Sequence, residues 1–282
     1  MQIEQFILTN EPAIRLGFFL GFFFVMVAWE LLAPQRTLKL SKLFRWTNNL
    51  GLAVLNTVLV RLLFPFAAVA MAAYCAKQGW GVLNQFAVPF WLAVPLAVVL
   101  MDFVIWLQHV MVHHVPVLWR LHRVHHADPD YDLTTGSRFH PIEIILSMLI
   151  KFVTIALVGA PVLAVVLFEI ILNSVAMFNH GNVRLPVGLD SVLRWFIVTP
   201  DMHRVHHSVV VDETNSNYGF NLSCWDRLFG TYRAQPRAGQ LGITIGIDGF
   251  TNSSEIVRLD GMLLMPFRQK VPDTEPSKHS SL

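Results

Sequence analysis

Four long apolar stretches constrain the fold of this chain most strongly. They run from about residue 14 to 33, 49 to 76, 86 to 107 and 142 to 178. A helix that crosses the hydrocarbon core of a bilayer needs about 20 predominantly apolar residues. The fourth stretch is too long for one crossing, and Gly159-Ala160-Pro161 interrupts it, so we interpret it as a hairpin of two helices. The sequence therefore predicts an all-α integral-membrane fold with four to five transmembrane or re-entrant helices.

Composition supports a membrane protein and excludes other classes. Hydrophobic residues make up 54% of the 282 residues and charged residues 14%, whereas soluble domains carry about 25% charged residues. The net charge of +2 and the absence of a long basic run give no reason to expect a nucleic-acid partner. The two cysteines, Cys75 and Cys224, form no CxxC motif, so we expect two reduced thiols.

Three charged residues, Arg61, Lys151 and Glu169, fall inside the apolar stretches. Charges at such depth are costly and often have a function. The alternative is that these side chains reach the membrane interface or pair with one another within the bundle.

Charge in the connecting loops predicts the orientation of the helices. The first residues lack the basic region that begins a signal peptide, so we expect the first apolar stretch to remain as a membrane helix. The following link, residues 34–46, contains four basic residues and no acid, whereas the next loop carries only Lys77. The positive-inside rule places the basic link in the cytoplasm. Counting crossings from there puts residues 108–141 and 179–282 on the cytoplasmic side.

Histidines cluster in these two predicted cytoplasmic segments. Eleven of the twelve lie between residues 109 and 207, and they form one HxxxH and two HxxHH patterns, with one further histidine in FNHGN. Residues three and four apart share a helix face, so we expect each pattern to direct its imidazoles to one point. Nine ligands exceed the needs of one metal and fit two metals with four or five ligands each. The candidate ligands are His109, His113, His122, His125, His126, His180, His203, His206 and His207.

Other residues near these patterns are candidates for supporting roles. Asp102 lies two helical turns before His109, where its carboxylate is placed to accept an N–H from a ligand imidazole; the alternative is an ion pair with Arg120 or Arg123. His140 is a candidate for a further ligand or for a group that orients one. His114 points to another helix face than His113, and we expect it not to bind metal. The WDRLFGT segment is expected to form a turn that closes the histidine-bearing part.

These motifs give the chain a specific resemblance. It resembles the fatty acid hydroxylase/sterol desaturase superfamily of membrane proteins over about residues 100–235. The resemblance implies a di-iron centre, use of O2, a lipid substrate and a ligand role for the nine histidines above. Some relatives carry a histidine four residues before the position of His180, where this chain has Ala176, and His140 is the candidate to compensate. The matching stretches are DFVIWLQHVMVH, LWRLHRVHHADPDYD, GSRFHPIEI, FNHGNVRLP, TPDMHRVHHS and NYGFNLSCWDRLFGTY.

The sequence also predicts the organisation and the partners of the chain. We expect a single membrane domain over residues 1–267, with a hydroxylase-like core at about 95–235, a helical cytoplasmic cap and a disordered tail at 268–282. No Gly-rich nucleotide-binding motif or fused haem-binding module is recognisable, so electrons must come from a separate donor, a ferredoxin or cytochrome-type protein with its reductase. The basic cytoplasmic residues set the topology or dock an acidic donor; they are Arg36, Lys39, Lys42, Arg45, Arg120 and Arg123.

The resulting functional hypothesis is an O2-dependent oxidoreductase with two iron ions that hydroxylates an unactivated C–H bond of a lipid, such as a sterol or a fatty acyl chain. Desaturation of the same bond remains open at this point, as does a carotenoid-like substrate. Two alternatives from other classes are a membrane electron carrier with bis-histidine haems and a zinc-dependent membrane hydrolase.

Overall fold

The computed structural model describes residues 2–64, 67–86, 88–249 and 254–268. Within these segments the chain is helical and forms no β-strand beyond three isolated bridges. Of the tail predicted at 268–282, residues 269–282, with His279, lie outside the described residues. The α-helices are α1 (Gln2–Leu32), α2 (Lys42–Leu63), α3 (Ala68–Gln78), α4 (Val82–Gln85), α5 (Phe90–His114), α6 (Pro116–His126), α7 (Pro141–Val158), α8 (Val162–Asn179), α9 (Val187–Leu193), α10 (Pro200–His206), α11 (Val211–Thr214), α12 (Cys224–Leu228), α13 (Gly239–Gly242) and α14 (Leu259–Leu264). Short 3₁₀ helices span Thr135–Ser137, Ser254–Val257 and Met265–Phe267.

Five helical regions of the described chain are long and apolar enough to cross a membrane. Large apolar side chains on them face outward, including Phe24 on α1, which is 64% exposed, and Leu157 on α7. Such surfaces are stable against lipid rather than water. The predicted all-α membrane fold with four to five spans is therefore confirmed. The five regions are Gln5–Leu32, Lys42–Gln85, Phe90–His114, Pro141–Val158 and Val162–Asn179.

Two predicted helix boundaries are wrong. The second apolar stretch was expected as one helix, but α2 ends at Leu63 and α3 begins at Ala68. Phe64, which precedes Pro65 in the sequence, has φ −122° and ψ 79°, because a proline disfavours the helical conformation of the residue before it. In addition, α1 begins at Gln2 rather than near residue 14.

The hairpin of α7 and α8 is confirmed, and its tip fits tightly against another loop. Gly159 ends α7 with φ +71°, and Gly81, after α3, has φ +92°. A Cβ atom on Gly81 would lie 2.1 Å from the backbone nitrogen of Gly159. Both positions therefore need glycine, for the left-handed conformation and for the close approach of the two backbones. This contact closes the end of the bundle that faces away from the histidines.

The charged residues inside the bundle pair across helices. The Glu169 carboxylate on α8 lies 2.7 Å from Lys151 Nζ on α7 and 3.1 Å from Arg15 Nη1 on α1. Arg15 also pairs with Glu11 one helical turn earlier, at 2.6 Å. Of the two interpretations above, pairing within the bundle therefore holds for Lys151 and Glu169. Arg61 lies exposed in the last turn of α2.

We call the described residues of 115–140 and 180–268, which follow the membrane-spanning helices, the cap. Buried ionic contacts hold the cap against the membrane helices. Arg45, at the start of α2, donates from Nε and Nη2 to Asp128 at 3.0 and 2.6 Å, and from Nη1 to Asp132. Arg45 was expected among the basic surface residues, but it is fully buried, because two carboxylates of the DPDYD loop surround it. Burial alone would raise the pKa of Asp128; the charges of Arg45 and Arg138 outweigh that effect and lower it to about 2.

Glu30, near the end of α1, plays a similar part. Its Oε1 accepts the backbone N–H groups of Leu133 at 2.7 Å and Asn182 at 2.9 Å. These two residues follow the histidine-bearing helices α6 and α8, so α1 fixes both connections at once. Arg45 and Glu30 thus connect the loops that follow the histidine-bearing helices to the membrane helices α2 and α1.

We expect the Arg45→Ala variant to be strongly destabilised. The substitution leaves Asp132 buried without its cationic partner and Asp128 with only the more distant Arg138; the loss of one partner of a buried ion pair typically costs about 3–5 kcal/mol. Thermal unfolding of the detergent-solubilised protein measures the effect. The matched control is Arg258→Ala, which breaks an exposed ion pair with Asp260 and should change stability by about 0–1 kcal/mol. Equal unfolding temperatures for the two variants would contradict this assignment.

Candidate metal centre

Four helical segments deliver the histidines to one end of the bundle. His109 and His113 lie on the last turns of α5. The next helix, α6, begins almost directly after α5, with Pro116 as its first residue. His180 caps the end of α8. The short helix α10 begins at Pro200, with the hydroxyl of Thr199 accepting the Met202 N–H at 3.4 Å. Residues from both halves of the sequence therefore converge where membrane helices meet the cap.

The nine candidate ligands form two groups. In each group, one ring nitrogen per residue lies within 4.8 Å of the corresponding atoms of the others. The group sizes, five and four, agree with the count expected for two metals. His114 and His140 belong to neither group. The five-histidine group is His109, His113, His122, His126 and His206; the four-histidine group is His125, His180, His203 and His207.

Each HxxHH pattern divides between the groups, contrary to the expectation that it serves one point. In α6, His122 and His126 belong to the five-histidine group and His125 to the four-histidine group. Successive residues of a helix are about 100° apart around its axis. The pair at spacing four therefore shares a direction, and the residue between them points to the neighbouring centre. This division places the two groups side by side.

Burial surrounds these imidazoles and disfavours the charged form of most of them. Eight of the nine residues are at most 2% exposed, and the Nε2 atom of the half-buried His113 is enclosed. Burial lowers the pKa of His206 to about 3 and of His180 to about 4. A metal ligand must be the neutral imidazole with a free lone pair, and burial therefore favours the ligating form of His206 and His180.

The distances between ring nitrogens within each group fit bound metal ions. His109 Nε2 lies 3.1 Å from His122 Nε2 and 3.0 Å from His206 Nε2, and His180 Nε2 lies 3.1 Å from the Nε2 atoms of His125 and His203. Two ligands bonded at about 2.1 Å and at right angles would be about 3.0 Å apart.

Buried ring nitrogens that lack a hydrogen-bond partner in the described chain also fit bound metal ions. Both ring nitrogens of His126 and of His207 are buried without a hydrogen-bond partner within the described chain. Leaving such a group unpaired costs roughly 1–3 kcal/mol. A metal ion bound to one nitrogen of each residue would remove part of that cost, so the residues present fit the ions that the resemblance implies.

Backbone carbonyl groups accept hydrogen bonds from the Nδ1 atoms of several of these histidines and thereby orient the imidazoles. The Nδ1 atoms of His109 and His206 donate to the carbonyl oxygens of Tyr218 and Ser216, each at 2.7 Å. His180 Nδ1 donates to the Ala176 carbonyl at 2.8 Å, so the position where some relatives carry a histidine contributes its backbone here. Such contacts fix the tautomer and leave Nε2 free to bind metal.

A carboxylate that sequence reasoning missed orients His122. Glu143 Oε1 lies 2.7 Å from His122 Nδ1, in the first turn of α7, and Glu143 is 4% exposed. The available signal was an acidic residue at the start of an otherwise apolar membrane helix, which is costly without a function. Carboxylate–histidine–metal arrangements of this kind raise the basicity of the ligand.

The structure corrects the roles expected for Asp102 and His140. The Asp102 carboxylate accepts the indole N–H of Trp225 at 2.8 Å and the backbone N–H of Leu222 at 3.3 Å, whereas His109 donates to the Tyr218 carbonyl. Asp102 pairs with neither expected arginine; Arg120, for example, donates to the Pro266 carbonyl. His140 caps α7: its Nδ1 accepts the Ile142 N–H, and its Nε2 donates to the Leu263 carbonyl. It therefore does not compensate for a missing ligand.

The WDRLFGT segment was expected to form a turn; its first four residues lie in the short helix α12, and the turn follows at Phe229 and Gly230. Its aspartate supports the site indirectly. The Asp226 carboxylate accepts the backbone N–H groups of Tyr218 and Gly219, each at 2.8 Å, and the Trp106 indole N–H at 3.1 Å. It thereby fixes the loop whose carbonyls hold His109 and His206. Burial raises the pKa of Asp226, and the donated hydrogen bonds oppose that rise.

We expect Glu143→Gln to weaken metal binding to the five-histidine group. The substitution keeps the size of the side chain and removes the charge behind His122, a change that typically costs 10- to 100-fold in metal affinity. Titration of metal-free protein with Co²⁺, followed by absorbance, measures the affinity of each group. Asp260→Asn, on the exposed face of α14, is the control and should bind as the wild type does. Unchanged affinity in Glu143→Gln would refute the role of the carboxylate.

Comparison with known proteins shows which protein sequences this chain resembles. The profile of the fatty acid hydroxylase family matches residues 94–231. The chain is 31% identical to the ornithine lipid hydroxylase OlsE of Rhizobium tropici over 64% of this chain and 52% of that protein. It is 29% identical to the alkylglycerol monooxygenase of Homo sapiens over 53% of this chain and 32% of that protein. It is 25% identical to methylsterol monooxygenase 2-2 of Arabidopsis thaliana over 70% and 77%, respectively.

The chain thus spans about half of the first of these relatives and about a third of the second. No solved structure matches it. The region that matches the family contains all nine clustered histidines and the elements that deliver them, from α5 to α12. Over this region the chain is similar to the fatty acid hydroxylase family and to hydroxylases and monooxygenases that act on lipids.

Proposed function

We propose that this protein is a membrane di-iron oxygenase that hydroxylates a C–H bond of a lipid. The observation that carries the proposal is the pair of buried, all-histidine groups of five and four residues at one end of a membrane bundle. Two iron ions bound there would supply the activation of O2 with electrons from outside. The protein holds the nine imidazoles in place and buries eight of them almost completely.

The ligand set favours iron over zinc hydrolysis. Imidazole binds iron, zinc, copper and nickel, but a catalytic zinc site normally has three protein ligands and an open position with a nearby carboxylate base. One group here has five histidines, and the buried carboxylate of Glu143 is directed at His122 rather than into an open position.

The same distances argue against haem electron transfer. The two axial imidazoles of a haem lie on opposite faces of the macrocycle, with their nitrogens about 4 Å apart. The Nε2 atoms of His109 and His206 are 3.0 Å apart, and each has further histidines beside it.

A lipid substrate follows from the position of the site and from the relatives. The histidine groups lie at the ends of α5 and α8, two helices that are long and apolar enough to cross a membrane, and this position favours a substrate that resides in the membrane. The relatives are named hydroxylases or monooxygenases of an ornithine lipid, an alkylglycerol and a methylsterol. These names favour hydroxylation over desaturation, and a sterol or a lipid with a long hydrocarbon chain as the substrate.

The electron donor in this proposal is a separate protein of the ferredoxin or cytochrome type. Several basic residues considered for its docking are used internally: Arg45 pairs with Asp128 and Asp132, and Arg36 donates to the Ile243 carbonyl. This use supports a topological and structural role for the basic link between α1 and α2 more than a docking role.

The central test of the function is lipid mass spectrometry under isotopically labelled O2. Cells that express the protein should contain a lipid with one oxygen atom derived from O2 that is absent from cells without it. We expect His206→Ala to reduce this product by roughly 100-fold or more, beyond the effect typical of outer partners. His114→Ala, on the exposed face of α5, should retain it. Equal product from both variants would refute the site, and wild-type product without label would refute the reaction.

We further propose that the histidine end faces the cytoplasm, as the positive-inside rule predicts. In a Cys224→Ser background, a membrane-impermeant maleimide applied to intact cells should label Lys77→Cys, which lies exposed near the opposite end of the bundle. It should label Asp260→Cys, which lies exposed in the cap, only after permeabilisation. The reverse pattern would overturn this orientation.

A further inference from the structure

Two phenylalanine rings touch both histidine groups. The Phe139 ring lies 4.4 Å from His125 in a stacked arrangement and 6.0 Å from His122. The Phe220 ring lies 4.9 Å from His109 and 6.3 Å from His203. Each ring therefore contacts one histidine of the four-histidine group and one of the five-histidine group. The two rings are 6.5 Å apart, measured between centroids.

The other aromatic neighbours are confined to one group within the described chain. Trp119 contacts His113, His122 and His126 of the five-histidine group. Tyr131 contacts His180 and His207 of the four-histidine group. These rings flank the site, whereas Phe139 and Phe220 lie across both halves of it.

The two rings also lie between the histidines and the membrane helices. Phe220 packs against the apolar core formed by α1, α3, α5, α7 and α8. Phe139 directly precedes the first turn of α7, and its carbonyl accepts the Asn56 side-chain N–H from α2 at 2.8 Å. Both residues are half-buried, whereas the histidines they touch are at most 2% exposed. Part of each phenylalanine is thus exposed, while the histidines that it contacts are buried.

We propose that Phe139 and Phe220 form the surface against which the reacting segment of the lipid packs, and that they determine which carbon is oxidised. This inference rests on the proposed function. A saturated hydrocarbon segment offers no polar group for recognition, so its position depends on dispersion contacts and shape alone. The residues that set the position must be apolar and must lie beside both metal-binding groups, and within the described chain these two rings meet both conditions.

Photo-crosslinking of the wild-type protein tests the location without requiring turnover. The protein is placed in nanodiscs of phosphatidylcholine that carries a diazirine on one palmitoyl chain, irradiated, and mapped by peptide mass spectrometry. We expect adducts on the segments that contain Phe139 and Phe220. Adducts at lipid-facing Phe24 are the positive control, and fully buried Phe168 should remain unlabelled. Labelling at Phe24 without labelling at Phe139 or Phe220 would overturn the proposal.

Positional isomers of the product test the role in specificity. Phe139→Leu and Phe220→Leu keep an apolar side chain but make it smaller and change its shape. Each should shift the ratio of product isomers by about tenfold or more, because even one methylene in a hydrophobic contact changes discrimination by about tenfold. Metal content is measured in parallel and should match that of the wild type. Full metal content with an unchanged isomer ratio would refute the role. Crosslinking at both rings in a protein that oxidises no lipid would refute the proposed function but not the lipid contact.

Discussion

The whole structure depends on bringing nine imidazoles to two adjacent points. Their ring nitrogens are packed at 3.0–3.1 Å in four measured pairs, and such close polar atoms in a dry interior are costly unless something binds their lone pairs. Helix geometry solves the spatial part of the problem. Because neighbouring residues in α6 and α10 point about 100° apart, one short helix serves both centres, and the two groups necessarily lie side by side.

Contacts from outside the histidine motifs hold this arrangement. Arg45 on α2 and Glu30 on α1 lie before the region that matches the family profile, yet they fix the loops that follow His126 and His180. Asp226 fixes the loop whose carbonyls orient His109 and His206. The membrane helices and the cap thus form one polar framework at the end of an apolar bundle, where every buried charge must find its partner within the protein.

Much of this could be predicted from the sequence because it depends on local patterns. Apolar length predicted the spans, Gly159-Ala160-Pro161 predicted the hairpin, and spacing predicted the histidines that converge. The errors concern tertiary choices. The division of each HxxHH pattern between two groups depends on where the second group lies, which no single helix encodes. Asp102 was expected beside an imidazole, but a loop 120 residues later supplies its N–H donors. Arg45 looked like a surface residue because its partners Asp128 and Asp132 are distant in sequence.

The most direct test of the central claim is the metal content of the purified protein, together with its response to the loss of one group. Protein produced with sufficient iron should contain two iron ions per chain and show no Soret absorption. His180→Ala removes a ligand of the four-histidine group only, so that variant should retain one iron ion per chain. A single ion in the wild type, or the loss of both ions in His180→Ala with the fold intact, would contradict two separate metal-binding groups.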